Sequence, residues 1–287
     1  MQRGFSNVSR RFWESRSGAC RVVRIGLIGE LCVLCLGRVL ITCPLCGTEQ
    51  RQRMVTESGS LIVALLVTGV FAGLACALGM VSWGGALGGF VVGVVIYVCL
   101  GPQGFAVLAL FVVGGSALTR LGYRSKERRG IAQPYHGRRG ARNALANCGI
   151  AVLCALLVVP FSSEVFSAAF VASLGAAFAD TAESEVGQLA RRTPRLITTL
   201  RKVPPGTDGA ISMPGTFAGL VAAGLTALLG LWLGLLGGPG VTLLVAGAAF
   251  LGTVADSLLG ALAPRLGNEL TNVLCTLVAA SLVSTLA

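Results

Sequence analysis

Three of the chain's 12 acidic residues, Asp180, Glu183 and Glu185, fall within six positions at the end of an apolar stretch. On a helix Asp180, Glu183, Ser184 and Gly187 share a face, whereas Glu185 points elsewhere. Carboxylates gathered at a membrane face suit Mg²⁺, a hard cation that takes oxygen ligands and keeps other positions for water and phosphate. A solvated, capped helix end uses similar residue types, so the acids alone leave both uses open. The residues behind them favour the first. Arg191, Arg192, Arg195, Arg201 and Lys202 follow, and guanidinium forks match phosphate geometry. The stretch "PPGTDGAIS" then sets Gly206 and Gly209 around Thr207 and Asp208, a tight turn whose amides suit an anion. Carboxylates, cations and a glycine turn within residues 180–212 are the parts of a phosphoryl-transfer site.

Two further polar sets accompany this stretch. Arg142, Asn143 and Asn147 stand at the entrance to one apolar run, and Asn268, Glu269 and Asn272 at the entrance to the last. Each amide alone reads as a helix cap. Asp256 sits inside an apolar run, and an ionisable group there is a functional candidate by default. His136 is the one histidine, and no Ser-His-Asp or Cys-His arrangement accompanies it, so nucleophilic hydrolysis is disfavoured. A kinase acting on an alcohol benefits from a positioned base. One acting on a phosphate monoester does not, because that acceptor, with a second pKa of about 6, is already ionised near neutrality.

The elements that position these residues must be membrane helices. The 287 residues are 54% hydrophobic and 12% charged, with 40 glycines, against about 25% charged in soluble domains. No charge occurs over residues 58–119, enough for three spans at about 20 residues each, with breaks near residues 83–85 and at Gly101-Pro102. Residues 209–255 divide at "GGPG" (237–240) into two more. Runs over 143–163, 165–179 and 270–287 supply one each. The expected fold is all-α, a polytopic integral membrane protein of about 7–9 transmembrane helices with the lipid bilayer as its main partner. Residues 1–57 form a basic tail with one weak crossing near residues 25–43, and residues 58–287 the multi-spanning domain. A start at Met54 and a signal peptide are weaker readings of the same tail.

Charge gives the topology. The net charge of +11 is concentrated beside spans, with eight basic residues over 120–142 and five over 191–202. That pattern marks a cytoplasmic face rather than nucleic-acid binding. The N-terminus, both loops and Arg265 then share the cytoplasm. Protein partners are not legible. Cys32, Cys35, Cys43 and Cys46 form two CxxC pairs too close for the usual zinc ribbon, so they read as packing cysteines. "ESEVGQLARR" (183–192) is echoed by "DSLLGALAPR" (256–265), each preceded by "AAF", a pattern open both to an internal repeat and to chance in a chain so rich in Ala, Gly and Leu.

At these residues the chain resembles a known family. "DTAESEVG", "PRLITT", "PPGTDGAIS", "RNALANCGIA" and "GTVADSLLGA", with Lys126 between, are similar in form and order to motifs of the membrane family catalogued as domain of unknown function ninety-two. Plant chloroplast phytyl-phosphate kinase falls in that family. Departures are Ala182 for its usual Trp, Glu183 for Ala and Asp208 for Asn. The resemblance, over residues 58–287, implies transfer of a phosphoryl group from a nucleoside triphosphate, with CTP a candidate, to an isoprenoid monophosphate. Together with the acid–base–glycine cluster it assigns Mg²⁺ to Asp180, Glu183 and Glu185, and catalysis to Asp180, Glu185 and Lys202. Substrate and nucleotide fall to Ser184, Arg195, Gly206, Thr207, Asp208, Gly209, Asn147, Asp256, Asn268 and Asn272. A nucleotidyltransferase making a CDP-linked lipid uses the same parts. A transporter of an anionic lipid or metabolite is the non-enzyme alternative.

Overall fold

The computed structural model describes residues 47–161 and 163–286. The weak crossing near residues 25–43 and the four paired cysteines lie outside the described residues. Eight α-helices follow in order: α1 (Gly47–Ala77), α2 (Trp83–Arg120), α3 (Tyr123–Arg128), α4 (Ala141–Phe161), α5 (Glu164–Gly187), α6 (Met213–Trp232), α7 (Pro239–Leu262) and α8 (Asn268–Leu286). Two short strands, β1 (Arg195–Leu196) and β2 (Ala210–Ile211), pair antiparallel in the long loop after α5. Six of the described helices, α2 and α4 through α8, are long and apolar enough to cross a membrane, and Leu61–Ala77 is a shorter apolar stretch. The chain is an all-α, multi-pass membrane protein.

Helix α2 hides a reversal. Its 38 residues would reach about 57 Å if straight, at 1.5 Å per residue, nearly twice a bilayer core of about 30 Å. Gly101 has φ 69° and ψ −165°, a left-handed, extended conformation open to glycine, and Pro102 follows without an amide to donate. The two halves fold back on each other. A Cβ on Gly93 would come within 3.2 Å of the Phe105 ring, and Gly85 and Gly115 both lie against Arg139. The expected break at Gly101-Pro102 is therefore a hairpin. The earlier break falls at residues 78–82, with Ser82 capping α2 through its bond from the Gly85 amide, a few residues before the expected place.

Helix α5 is the central post. It packs against α2, α4, α6, α7 and α8. Its alanines from Ala168 to Ala182 are buried, and so are Phe170 and Leu174. Small side chains all round allow close approach by several neighbours at once. The helix continues without a break through Asp180 to Gly187, so the 15 uncharged residues before Asp180 are lengthened to 24. That extension carries the acidic residues at the end of a span.

The loops after α2, α5 and α7 meet at one end of the bundle. Arg129 donates to the Gln188 carbonyl at 2.6 Å, Gly206 lies against Ile131, and Gly209 lies against Ser257 and Ala261 of α7. Arg142 pairs with Glu269 at 2.9 Å.

Candidate functional site

The site grows from the contact between α5 and α7. A Cβ on Gly175 would stand 3.1 Å from that of Ala249, and one on Gly252 would stand 3.1 Å from that of Ala176 and 2.7 Å from the Cys275 carbonyl. Only glycine admits so close a crossing of α5, α7 and α8. Beyond it the carboxyls of Asp180 and Asp256 face each other, with Glu183 next to both. Glu183 accepts from the Thr216 hydroxyl at 3.1 Å and has the Thr253 hydroxyl beside it, while Thr271 flanks Asp256. Asp256 Oδ1 and Asn272 Oδ1 are buried with no hydrogen-bond partner. A buried acceptor that the protein leaves unsatisfied is open to a water, an ion or a ligand.

Among the three acids expected to hold the metal, this arrangement departs at one. Glu185 does not join Asp180. It is buried and bonds Lys126, whose Nζ lies 2.5 Å from Glu185 Oε2. Short helix α3 delivers that lysine, and its other protons go to the carbonyls of Thr119 at 2.9 Å and Leu118 at 3.4 Å. All three ammonium donors are used. The reason is angular: five residues on a helix turn Glu185 about 140° away from Asp180, toward α2 and α3. The carboxylate facing Asp180 is Asp256.

Arg139 was not singled out by the sequence. Its backbone is clipped to the start of α2: Ser82 N–H donates to its carbonyl at 3.0 Å and its own N–H donates to Met80 at 3.3 Å. Gly85 makes room, since a Cβ there would sit 2.1 Å from the Arg139 carbonyl. The guanidinium stacks over Phe111 at 5.3 Å and donates to Thr181 Oγ1 at 3.2 Å. Burial draws its pKa below the usual arginine range, opposed by Glu185 and Asp180. Arginine begins so high that the group stays charged. Among eight basic residues in that loop no local signal marks this one, because its partner Thr181 is 42 positions away.

The glycine turn reaches the site. Gly206 has φ 85° and Gly209 φ 74°. A Cβ on Gly209 would stand 2.6 Å from the Ser257 carbonyl, and Gly260 abuts the Gly209 amide. The turn is thus seated on α7 one helical turn past Asp256, and Asp208 contributes to the field at Asp256. Thr207 spends its hydroxyl on the Pro204 carbonyl at 2.7 Å. Arg195 and Lys202 are exposed on the β1–β2 loop, where Arg195 donates to the Leu200 carbonyl at 2.9 Å. Ser184 turns back to the Asp180 carbonyl at 2.7 Å. Asn147 is buried and donates to the Asn143 carbonyl at 2.9 Å. Asn268 opens α8 and is exposed. The structure therefore gathers Asp180, Glu183, Asp256 and the 206–209 turn, and gives Glu185, Ser184, Thr207 and Asn147 other bonds.

The donor set fits a hard divalent cation only in part. Among the described residues no three His, Cys, Asp or Glu side chains form a group able to hold a metal ion. A Mg²⁺ site would ask less of the protein, one or two carboxylates with water and substrate phosphates supplying the rest.

The comparisons with known proteins place the chain among integral membrane proteins. Residues 65–280 match the family model described as integral membrane protein DUF92. The chain is 38% identical over 201 residues to an uncharacterized membrane protein of Synechocystis sp., covering 67% of this chain and 77% of that one. It is 34% identical over 197 residues to an uncharacterized membrane protein of Methanocaldococcus jannaschii, covering 68% and 80%. It is 33% identical over 202 residues to the chloroplastic protein VTE6 of Arabidopsis thaliana, covering 69% of this chain and 57% of that protein, less than two thirds of its length. No solved structure matches. With the family model spanning most of the chain, this protein belongs to the DUF92 family of integral membrane proteins.

Proposed function

We propose that the protein is a membrane phosphotransferase that moves a phosphoryl group from a nucleoside triphosphate, CTP being the first donor to try, to an isoprenoid monophosphate. The observation that carries this reading is the Asp180–Glu183–Asp256 cluster of carboxyls, with one unpartnered oxygen on Asp256, beside a glycine turn. The family resemblance to phytyl-phosphate kinase supplies the substrate class. Asp180 and Asp256 hold Mg²⁺ in this reading, and the ion, when bound, neutralises charge on the transferring phosphates. The 206–209 turn faces the nucleotide, and Arg139 counters the acceptor phosphate. The acceptor oxygen attacks the γ-phosphorus as the bond to the nucleoside diphosphate breaks. No general base is required, because the acceptor is already ionised. Arg195 and Lys202, exposed on the β1–β2 loop, are assigned to the nucleotide phosphates.

Counting the two halves of α2 separately and Leu61–Ala77 once, we infer eight crossings over residues 61–286, with the site on the cytoplasmic face. Purified protein in detergent, given Mg²⁺, a panel of CTP, ATP, GTP and UTP, and phytyl, geranylgeranyl and polyprenyl monophosphates, should form a prenyl diphosphate and a nucleoside diphosphate. Pyrophosphate release instead would establish nucleotidyl transfer. Absence of turnover across the whole panel, with lipid flux in proteoliposomes lacking nucleotide, would establish transport.

A further inference from the structure

Asn272 of α8 is buried, 5% exposed, and its Oδ1 has no hydrogen-bond partner. Helix phase places it. At the tight crossing, a Cβ on Gly252 of α7 would stand 3.1 Å from that of Ala176 of α5, 2.7 Å from the Cys275 carbonyl and 3.3 Å from the Ala279 Cβ of α8. Four residues on from Ala176 is Asp180, and four on from Gly252 is Asp256, each about one turn nearer the loop end. Helix α8 starts at that end and runs the other way, so the same step from Cys275 and Thr276 leads back to Asn272. The Thr276 hydroxyl donates to the Asn272 carbonyl at 3.1 Å. Three helices thus bring Asp180, Asp256 and Asn272 to one level. Helix α8 faces the carboxyls there: Thr271 flanks Asp256, and the carboxyls whose charges act on Cys275 are those of Asp180, Asp256 and Glu183.

The oxygens that meet at this level are acceptors. Thr216, Thr253 and Thr271 offer hydroxyl protons to Glu183 and Asp256, yet Asp256 Oδ1 and Asn272 Oδ1 receive none. Lys126 and Arg139 are engaged elsewhere, with Glu185 and Thr181. An anion would meet like charge and unpaired acceptors here, whereas a hard cation takes all three oxygens as ligands. An amide supplies the third of them without adding another negative charge. We propose that Asn272 Oδ1 is a ligand to the divalent cation held by Asp180 and Asp256, so that α5, α7 and α8 each give one oxygen. Asp180 and Asp256 are only half-buried, which leaves access for water and phosphate. The proposal rests on the phosphotransferase reading for the choice of Mg²⁺, but binding is measurable without nucleotide or turnover.

The test titrates the full chain in detergent with Mn²⁺ in place of Mg²⁺, free Mn²⁺ being read by its electron paramagnetic resonance signal, with no nucleotide present. Bound Mn²⁺ is expected, displaced by Mg²⁺ and not by Na⁺. Asn272→Ala should weaken it about tenfold or more, since even a group that only orients a metal ligand contributes about 10–100-fold to affinity. Asn272→Asp should bind at least as well as the parent, because the oxygen remains. Asn143→Ala removes another buried amide oxygen without a partner, on the side of α4 that faces Phe105 and Phe111, and should bind as the parent does. A second readout needs no variant. Fe²⁺ with ascorbate and peroxide should cut the backbone near residues 180, 256 and 272, and excess Mg²⁺ should suppress the cuts. Melts with and without Mn²⁺ show that each variant folds. No bound Mn²⁺, cuts that spare α8, or Asn272→Ala binding like the parent would each overturn the proposal. So would loss of binding in a folded Asn272→Asp, which would make Asn272 an amide donor to Asp256. Mn²⁺ binding that depends on Asn272, without phosphoryl transfer under any nucleotide, would leave the proposal standing and remove the catalytic reading.

Discussion

Asp256 and Glu185 show how a carboxylate's partner decides its use. Asp256 has a buried oxygen that nothing in the protein satisfies, whereas Glu185 is neutralised by a lysine with no solvent exposure. Asp256→Asn and Asp180→Asn are expected to lower phosphoryl transfer by about 100-fold or more each, the scale of losing a preorganised charge at a transition state. Added Mg²⁺ should recover part of the loss, and the steady-state rate as a function of Mg²⁺ checks it. Glu185→Gln should act on stability instead. Removing one member of a buried ion pair costs about 3–5 kcal/mol because the other charge is left uncompensated. Lys126→Met should cost a similar amount, and the Lys126→Met/Glu185→Leu double variant should recover most of it. Melting in detergent of the four proteins closes that cycle. A double variant no better than the worse single would show that the pair is not a closed unit. The acids were legible from their spacing. Their partners were not, since Lys126 lies 59 positions from Glu185, and a helix wheel shows that Glu185 points away from Asp180 without showing toward what.

At the scale of elements, glycine and proline made the breaks legible: Gly101-Pro102 became the hairpin inside α2, and the "GGPG" run became the turn before α7. The extension of α5 past Asp180 was legible because no proline falls between Pro160 and Pro194 and the first glycine after Asp180 is Gly187, where the helix ends. The short helix α3 and the clip between Arg139 and the start of α2 were not. They depend on contacts that only the assembled bundle supplies. The same is true of the seat for the glycine turn, which rests on Gly209 having no Cβ where α7 approaches. Gly209→Val should lift residues 204–210 off α7, since its Cβ would lie 2.5 Å from the Ala261 amide nitrogen and its φ of 74° is one a β-branched residue resists by about 1–3 kcal/mol. Limited proteolysis should then cut the 191–208 loop faster while helical circular dichroism is unchanged. Unaltered cleavage would mean that the turn is held by something other than its contact with α7.

The described helices form a bundle with two unlike ends and a small-residue core. One end collects the loops after α2, α5 and α7 with most of the described basic residues, and the other has short turns such as residues 233–238. The alternation follows from the hairpin in α2: with that reversal, α1 ends, α2 begins and ends, and α4 begins at one level. Read as a single long helix, α2 would send its end, and everything after it, to the opposite side. The contacts of Arg139 with both Gly85 and Gly115 decide between these two layouts in the structure, and labelling decides it in a membrane. Single cysteines at residues 130, 208 and 266, introduced into a cysteine-free background, should react with an impermeant maleimide from one side only, and the same side for all three. Cysteines at residues 101 and 235 should react from the other. If the basic loops face the cytoplasm, as charge beside spans dictates, the first three label in inverted vesicles and not in intact cells. Residue 208 labelling opposite to residue 130 would separate the glycine turn from Arg139 across the bilayer. No single site would then contain both, and the phosphotransferase reading would fall with the layout that supports it.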